Sequence, residues 1–294
     1  MLLPVDVQVN PDHLDLDSPS CILAGTSRRY YVPDFPGTLS VKWVVRGRAE
    51  YVTSEGRHLL DPSGWLLLAH GQHYRMTIES AEATETLVPF LRRGLVGEAA
   101  KALGEPEGAL DDPGRPLPVL VTERVRRHHP TISPILRRLH AGVREGVPYD
   151  GYLEEQIHDL AGGLASLGRD VRAKVSRLGG VRASTRVEIF RRLDRALELI
   201  EGNLARPLGL DEMARIACLS PYHFHRQFTL AFGAPPHRFI ALRRLEEARR
   251  LLEGTGRSVS DVCLDVGFHS LGSFSALFRR RFGVPPSAVR KKQA

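Results

Sequence analysis

Two hydrophobic periodicities divide the chain. Up to about residue 122, apolar and polar positions alternate in short runs broken by Gly and Pro; from about Glu123 onward, apolar positions recur at steps of three and four. Alternation is the period of a half-buried strand, and the three-four step is that of a helix with one apolar stripe. The first part predicts strands over residues 39–45, 49–52, 58–60, 65–69 and 74–78, with turns at Arg46-Gly47-Arg48, Gly56-Arg57, Asp61-Pro62-Ser63-Gly64 and Gly71-Gln72. Short strands at regular spacing argue for a small antiparallel barrel or sandwich. A mixed polar and apolar run continues to Phe90, residues 94–103 read as a short helix, and residues 104–118 read as a Gly- and Pro-rich loop.

In the helical part, Ile135, Leu136 and Leu139 form one stripe. A longer one follows in residues 152–167, where Leu153, Ile157, Leu160, Leu164 and Leu167 step by 4, 3, 4 and 3. That seam, roughly two heptads long, fits either a dimer contact or a helix packed on its own domain, and periodicity does not separate the two. Gly179-Gly180 marks a boundary. Thr185 and Glu188 have capping-box spacing ahead of a stripe of Ile189, Leu193, Ala196, Leu197 and Ile200, which Asn203 and Pro207 end. The expected organisation is multidomain α and β: a barrel or sandwich domain over 1–122, a helical linker or dimerisation region over 123–183, and an all-α domain over 184–294.

The last domain contains a repeat. Residues 211–236 and 260–286 each read as helix, turn and helix, and downstream of the turn they register at an offset of 50: Ser220 on Ser270, Phe224 on Phe274, Phe228 on Phe278, Phe232 on Phe282 and Gly233 on Gly283, each copy closing on Pro-Pro. Between them, residues 236–253 predict a helix with Phe239, Leu242, Leu245, Ala248, Leu251 and Leu252 buried, stopped by Gly254 and Gly256. Ser258 to Asp261 caps the second copy better than Gly209 caps the first.

Charge sharpens this picture. The chain of 294 residues carries a net +7, but residues 184–294 hold 19 Lys and Arg against 11 Asp and Glu, while residues 1–183 hold 22 against 23. The basic excess therefore lies in the repeat-bearing domain, as a polyanion-binding module requires. Cys21, Cys218 and Cys263 stand far apart with no CxxC, which fits reduced thiols in the cytoplasm. No apolar run approaches a membrane span, and the first ten residues lack the basic start of a signal peptide.

A repeated helix-turn-helix in a basic domain predicts two grips on duplex DNA. With Phe224, Phe228 and Phe232 packed inward, the first unit presents Pro221, Tyr222, His225, Arg226 and Thr229, with Ser220 placed for a phosphate; Arg226 suits bidentate pairing to guanine. The second unit presents His269, Ser270, Gly272, Ser273 and Ser275, small groups apart from the histidine, and then Arg279, Arg280 and Arg281. Ala276 stands where Arg226 does and offers no hydrogen bond. The first unit is thus expected to read sequence and the second mainly to hold backbone and read shape.

Asp265-Val-Gly-Phe-His-Ser-Leu-Gly-Ser-Phe and the run on through Phe278-Arg-Arg-Arg-Phe-Gly-Val-Pro-Pro to Arg290 resemble the signature of the AraC/XylS family of bacterial transcription regulators, and Arg244 with Ala248-Arg-Arg-Leu-Leu252 also fits. The resemblance covers about residues 184–292. It implies seven helices with two helix-turn-helix units bound at a promoter, as activator or repressor. Cys218 departs from the usual Gly of the first turn, where a positive φ is uncommon for Cys; Cys263, Val289, Gly272 and Ala276 are further departures. More weakly, residues 56–64 with Leu66 to Leu68 and Gly71-Gln-His-Tyr74 are similar to the family's cupin-like sensing domain, which implies a small-molecule effector in the barrel. Homodimerisation through the seam, contact with RNA polymerase by an activator and a cytoplasmic, nucleoid-associated location follow as expectations. His58, His70 and His73 raise a metal-dependent cupin enzyme with an appended DNA-binding domain as the alternative. Yet a His-x-His followed by a carboxylate is absent, so no metal, cofactor or enzymatic activity is expected.

Overall fold

The computed structural model describes residues 2–5, 19–104, 124–127, 129–180 and 182–289. They fall into two compact units, Met1–Ala173 and Lys174–Ala294. The predicted loop at 104–118 lies almost wholly outside the described residues, as does Arg290.

Alternation in the first unit is carried chiefly by two long strands. Its strands are β1 (Leu2–Val5), β2 (Cys21–Pro36), β3 (Ser40–Arg46), β4 (Ala49–Thr53), β5 (Gly56–Leu60), β6 (Gly64–Leu68), β7 (His73–Phe90) and β8 (Val125–Arg127). β7 runs antiparallel to β2 over almost its whole length, from Pro36 opposite His73 to Cys21 opposite Phe90. Its other edge receives β4 near the start, Tyr51 opposite Met76, and β3 near the end, Trp43 opposite Leu87. β3 continues through β6 to β8, β4 and β5 form a hairpin, and β1 adds to β2 in parallel. The result is a nearly closed, largely antiparallel barrel. Register shifts between Ser27 and Arg29 and between Val32 and Phe35 mark where β2 bends around it.

The sheet has apolar groups on both faces. Val44, Leu66, Leu68, Tyr74, Met76 and Ile78 point into the barrel, whereas Val41, Trp65, Leu67 and Leu87 pack under helices. A strand buried on both faces reads as a continuous apolar run, which explains why every residue of β6 is buried. The covering helices are α1 (Leu95–Ala102), α2 (Ile132–Arg144) and α3 (Glu154–Ser176), the last entered through one π turn at Tyr149–Leu153. Leu153, Ile157, Leu160, Leu164 and Leu167 are 0–6 % exposed and belong to the same core as Trp65 and Leu67. Of the two readings of the seam, packing within the domain is the one its burial describes, since the five side chains share a core with the sheet, α1 and α2.

Three expectations need correction here. β2 carries no clean alternation and was not anticipated. Residues 125–127 form a strand on β6 where the helical period was expected to have begun. β7 continues to Phe90 rather than ending at Ile78. In each instance pairing with a distant strand decides the element, and local pattern does not report the partner.

The second unit is helical: α4 (Ala183–Gly202), α5 (Leu210–Ile216), α6 (Pro221–Phe232), α7 (Pro236–Gly254), α8 (Val259–Asp265), α9 (Leu271–Phe282) and α10 (Pro286–Val289), seven helices among the described residues. α4 begins two residues before Thr185, with Arg182 at the N-cap position and no side-chain cap, so the capping-box pattern there does not act as one. Its buried face includes Phe190, which the expected stripe omitted, while Ile189 is half-buried.

Candidate nucleic-acid interface

The two repeats build their reading helices from the same parts. In α6, Ser220 caps the first turn by accepting from His223 N–H (3.3 Å), Pro221 occupies the first helical position, and Gly233 ends the helix at φ 72°. In α9, Ser270 accepts from Ser273 N–H (3.3 Å) and Gly283 ends the helix at φ 79°. A glycine is needed at both ends because a left-handed C-cap strains any Cβ. Each helix is anchored by a file of phenylalanines. Ring centroids lie 5.3 Å apart for Phe224 and Phe228 and 4.4 Å for Phe228 and Phe232; in the second copy they are 5.7 Å for Phe274 and Phe278 and 4.6 Å for Phe278 and Phe282. Phe224, Phe228, Phe274 and Phe278 are fully buried, so the roll of both helices about their axes is fixed.

That roll decides what faces outward. Ser220, Pro221, Tyr222, His225 and Arg226 are exposed, Tyr222 at 79 %, and Thr229 is half-buried with its hydroxyl donating to the His225 carbonyl (2.7 Å). His223 is exposed as well. Gln227, by contrast, is buried and accepts from Gly179 N–H (3.2 Å), tying the start of the unit to α6. On α9, His269, Ser270, Gly272, Ser273, Arg279 and Arg280 are exposed and Ser275 is half-buried. The arginine cluster splits: Arg281 turns back to Glu246 (3.4 Å) and onto the Phe282 ring, so it braces α7. Arg279 stands one turn beyond Ser275 and Ala276 and two beyond Gly272, on the outward stripe.

The turns differ by one residue. Cys218, exposed, takes φ 50° in the first, where Gly267 takes φ 90° in the second, so the cysteine keeps the left-handed conformation at a cost of about 1–2 kcal/mol. Arg244 on α7 binds three backbone carbonyls, those of Leu204, Arg206 and Gly267. Its role in positioning the second turn was not legible beforehand. A chain of ion pairs, Glu201–Arg243–Glu246–Arg281, runs from α4 across α7 to α9.

The barrel holds a second feature. A cavity of about 80 Å³ opens between β2, β7, β3 and β4, lined largely by apolar groups and by Tyr30, Tyr51, Tyr74 and Lys42. Lys42 is only 2 % exposed. The alternation of β3 had marked it simply as a polar position; closure of the barrel turns that face inward. The three histidines weighed as metal ligands engage separate partners: His58 meets Thr53, His70 accepts from Leu39 N–H, and exposed His73 pairs with Asp34.

The repeat, its capped helices and their exposed basic and polar faces define a doubled helix-turn-helix domain of the kind that binds DNA. Residues 213–292 match a family model described as a helix-turn-helix domain. The XylDLEGF operon transcriptional activator of Pseudomonas putida is 35 % identical over 97 residues, 32 % of this chain and 30 % of that one. The transcriptional activator RhaS of an Enterobacter species is 34 % identical over 100 residues, 34 % and 36 % of the two chains. A crystal structure of a transcriptional regulator with an AraC-type DNA-binding domain from Chromobacterium violaceum is 32 % identical over 34 % of this chain and 89 % of that one, with a TM-score of 0.33. These matches make the C-terminal domain a helix-turn-helix domain of the AraC type. The chain spans about a third of the length of the curated relatives it matches.

Proposed function

We propose that the protein is a sequence-specific transcription regulator that binds promoter DNA through α6 and α9 in successive major grooves and responds to a small molecule in the barrel. The observation that carries this reading is the doubled reading helix: in both copies a buried phenylalanine file turns a polar face outward, within the domain that holds the chain's positive excess. α7, 19 residues and so about 28 Å long, is a rod of suitable length to join contacts about 34 Å apart along one side of a duplex. The activator names of the curated relatives favour the same conclusion, and an activating role adds RNA polymerase as a partner in the cytoplasm. A homodimer would rest on surfaces other than the buried seam. For the barrel, separate partners for His58, His70 and His73 favour sensing over metal-dependent catalysis.

Selection of duplexes from a random library by the full chain, followed by gel-shift titration, tests the proposal. The selected sequence should bind about a thousandfold tighter than a scrambled one at fixed salt. Equal affinity for both would refute sequence-specific regulation.

A further inference from the structure

Lys42 is the polar centre of the barrel cavity. β3 pairs it opposite Leu66, on the inward face shared with Val44, Leu66 and Leu68. Its Nζ lies 3.3 Å from the Tyr74 hydroxyl and sits over two rings, 4.6 Å from the Tyr74 centroid and 4.5 Å from that of Phe90. Among the described residues no carboxylate pairs with it. Removing an ammonium from water without a counter-charge costs several kcal/mol, and aromatic faces return only part of that. Such a group is seldom retained in an apolar cavity without a use for it.

The surrounding groups narrow the use. Burial pushes the pKa of the Tyr30, Tyr51 and Tyr74 phenols up, so all three keep their protons. A cation and phenols that can donate thus line the cavity with Lys42, while Val32, Met76, Ile78 and Val88 supply an apolar wall. An acceptor-only head matches the donors. A cationic ligand would meet the ammonium, and a sugar would leave its hydroxyls facing the apolar wall.

We propose that the cavity binds a small monocarboxylate with an apolar body, its carboxylate on Lys42 and the Tyr74 hydroxyl and its body along Met76, Ile78 and Val88. This rests on reading the barrel as the effector domain and names the class of effector. Burial also lowers the Lys42 amine to about 7, with Cys21 partly opposing the shift. A carboxylate arriving above that pH favours the charged amine, so binding takes up a proton; with the phenols held neutral, Lys42 is the lining group that takes it up, and Cys21 is the other ionisable group near it.

The test is calorimetry on the full chain with decanoate and naphthoate, against decanol and naphthalenemethanol as uncharged matches. At least one carboxylate should bind about tenfold tighter than its alcohol, and its heat at pH 8 should vary with buffer ionisation enthalpy as proton uptake requires. Lys42→Met should abolish the preference and the uptake while retaining the alcohol; Tyr74→Phe should weaken the carboxylate by a few-fold, with circular dichroism reporting the fold of each variant. Should Lys42→Met fail to fold, the proton uptake and Tyr74→Phe decide. Equal binding of carboxylate and alcohol, a preference that survives in Lys42→Met, or no saturation by either carboxylate at about 1 mM would overturn the proposal. Gel shift with the selected duplex separates the failures. DNA binding without a carboxylate preference removes the effector class alone, and a preference without DNA binding removes the regulator.

Discussion

Arg244 donates from Nη1 to the carbonyl oxygen of Gly267 at 2.7 Å, joining the middle of the connecting helix to the turn of the second helix-turn-helix. The same guanidinium reaches Leu204 O from Nε (2.8 Å) and Arg206 O from Nη2 (2.9 Å), in the link that follows α4. One side chain therefore holds together the rod, the link and the turn that aims α9. Three carbonyls bound at once suit a planar fork of donors, and a lysine offers no such fork.

Arg244→Met should lower unfolding free energy by about 2 kcal/mol, since charge-assisted hydrogen bonds to three backbone oxygens are lost and the oxygens become partly unpaired. Arg244→Lys should recover little of it. Urea unfolding of the two variants beside the parent checks this, and equal midpoints for all three would contradict the strut.

The two turns should respond oppositely to exchange of their residues. A Cβ on Gly267 would lie 2.7 Å from Ala205 O, 2.8 Å from Leu204 O and 2.9 Å from Arg244 Cζ, at a φ of 90° that already disfavours it. Gly267→Ala should cost about 3 kcal/mol. Cys218 is exposed at φ 50°, so Cys218→Gly relieves left-handed strain and should stabilise by about 0.5 kcal/mol after the extra chain entropy of glycine. Thermal unfolding midpoints moving in the same direction would count against this account.

The unequal faces of α6 and α9 predict unequal losses on DNA. Arg226→Ala should cost about 1–3 kcal/mol on the selected sequence and relax preference at one base position. Arg280→Ala should weaken all sequences alike and reduce the salt slope by about one. Gel-shift titrations across salt concentrations distinguish the two, and exchange of the patterns would reverse the assignment.

Lys42 links barrel stability to pH. Its amine is lowered from 10.5 to about 7 by burial, so between those values the unfolded chain binds a proton that the folded one does not. Stability therefore rises with pH through that window, by at most about 1.4 kcal/mol per pH unit. Lys42→Met removes the dependence. Its stability advantage over the parent should shrink by about 2 kcal/mol from pH 7 to pH 9, read from urea unfolding at both values. A constant difference would mean that the amine is not desolvated.

The sequence alone determined the helical second unit, its repeat and its outward residues. Those depend on contacts three and four residues apart, which the chain spells out locally: Phe224, Phe228 and Phe232 define a stripe, and Tyr222, His225 and Arg226 are what remains. The short hairpin strands were legible for the same reason. Only tertiary structure decided that β2 pairs with β7 along its length, that residues 125–127 form a strand on β6, and that the leucine seam lies in the core shared with the sheet. It also decided the two most telling polar side chains. In the sequence Arg244 enters only as a residue of the family resemblance, without a partner to hold, and Lys42 as the polar member of an alternating strand. Each acquires its role from groups 23 to 40 residues away, Gly267 and Leu204 for one and Tyr74 for the other. A periodicity records which face a residue shares, but only closure of the fold says what that face meets.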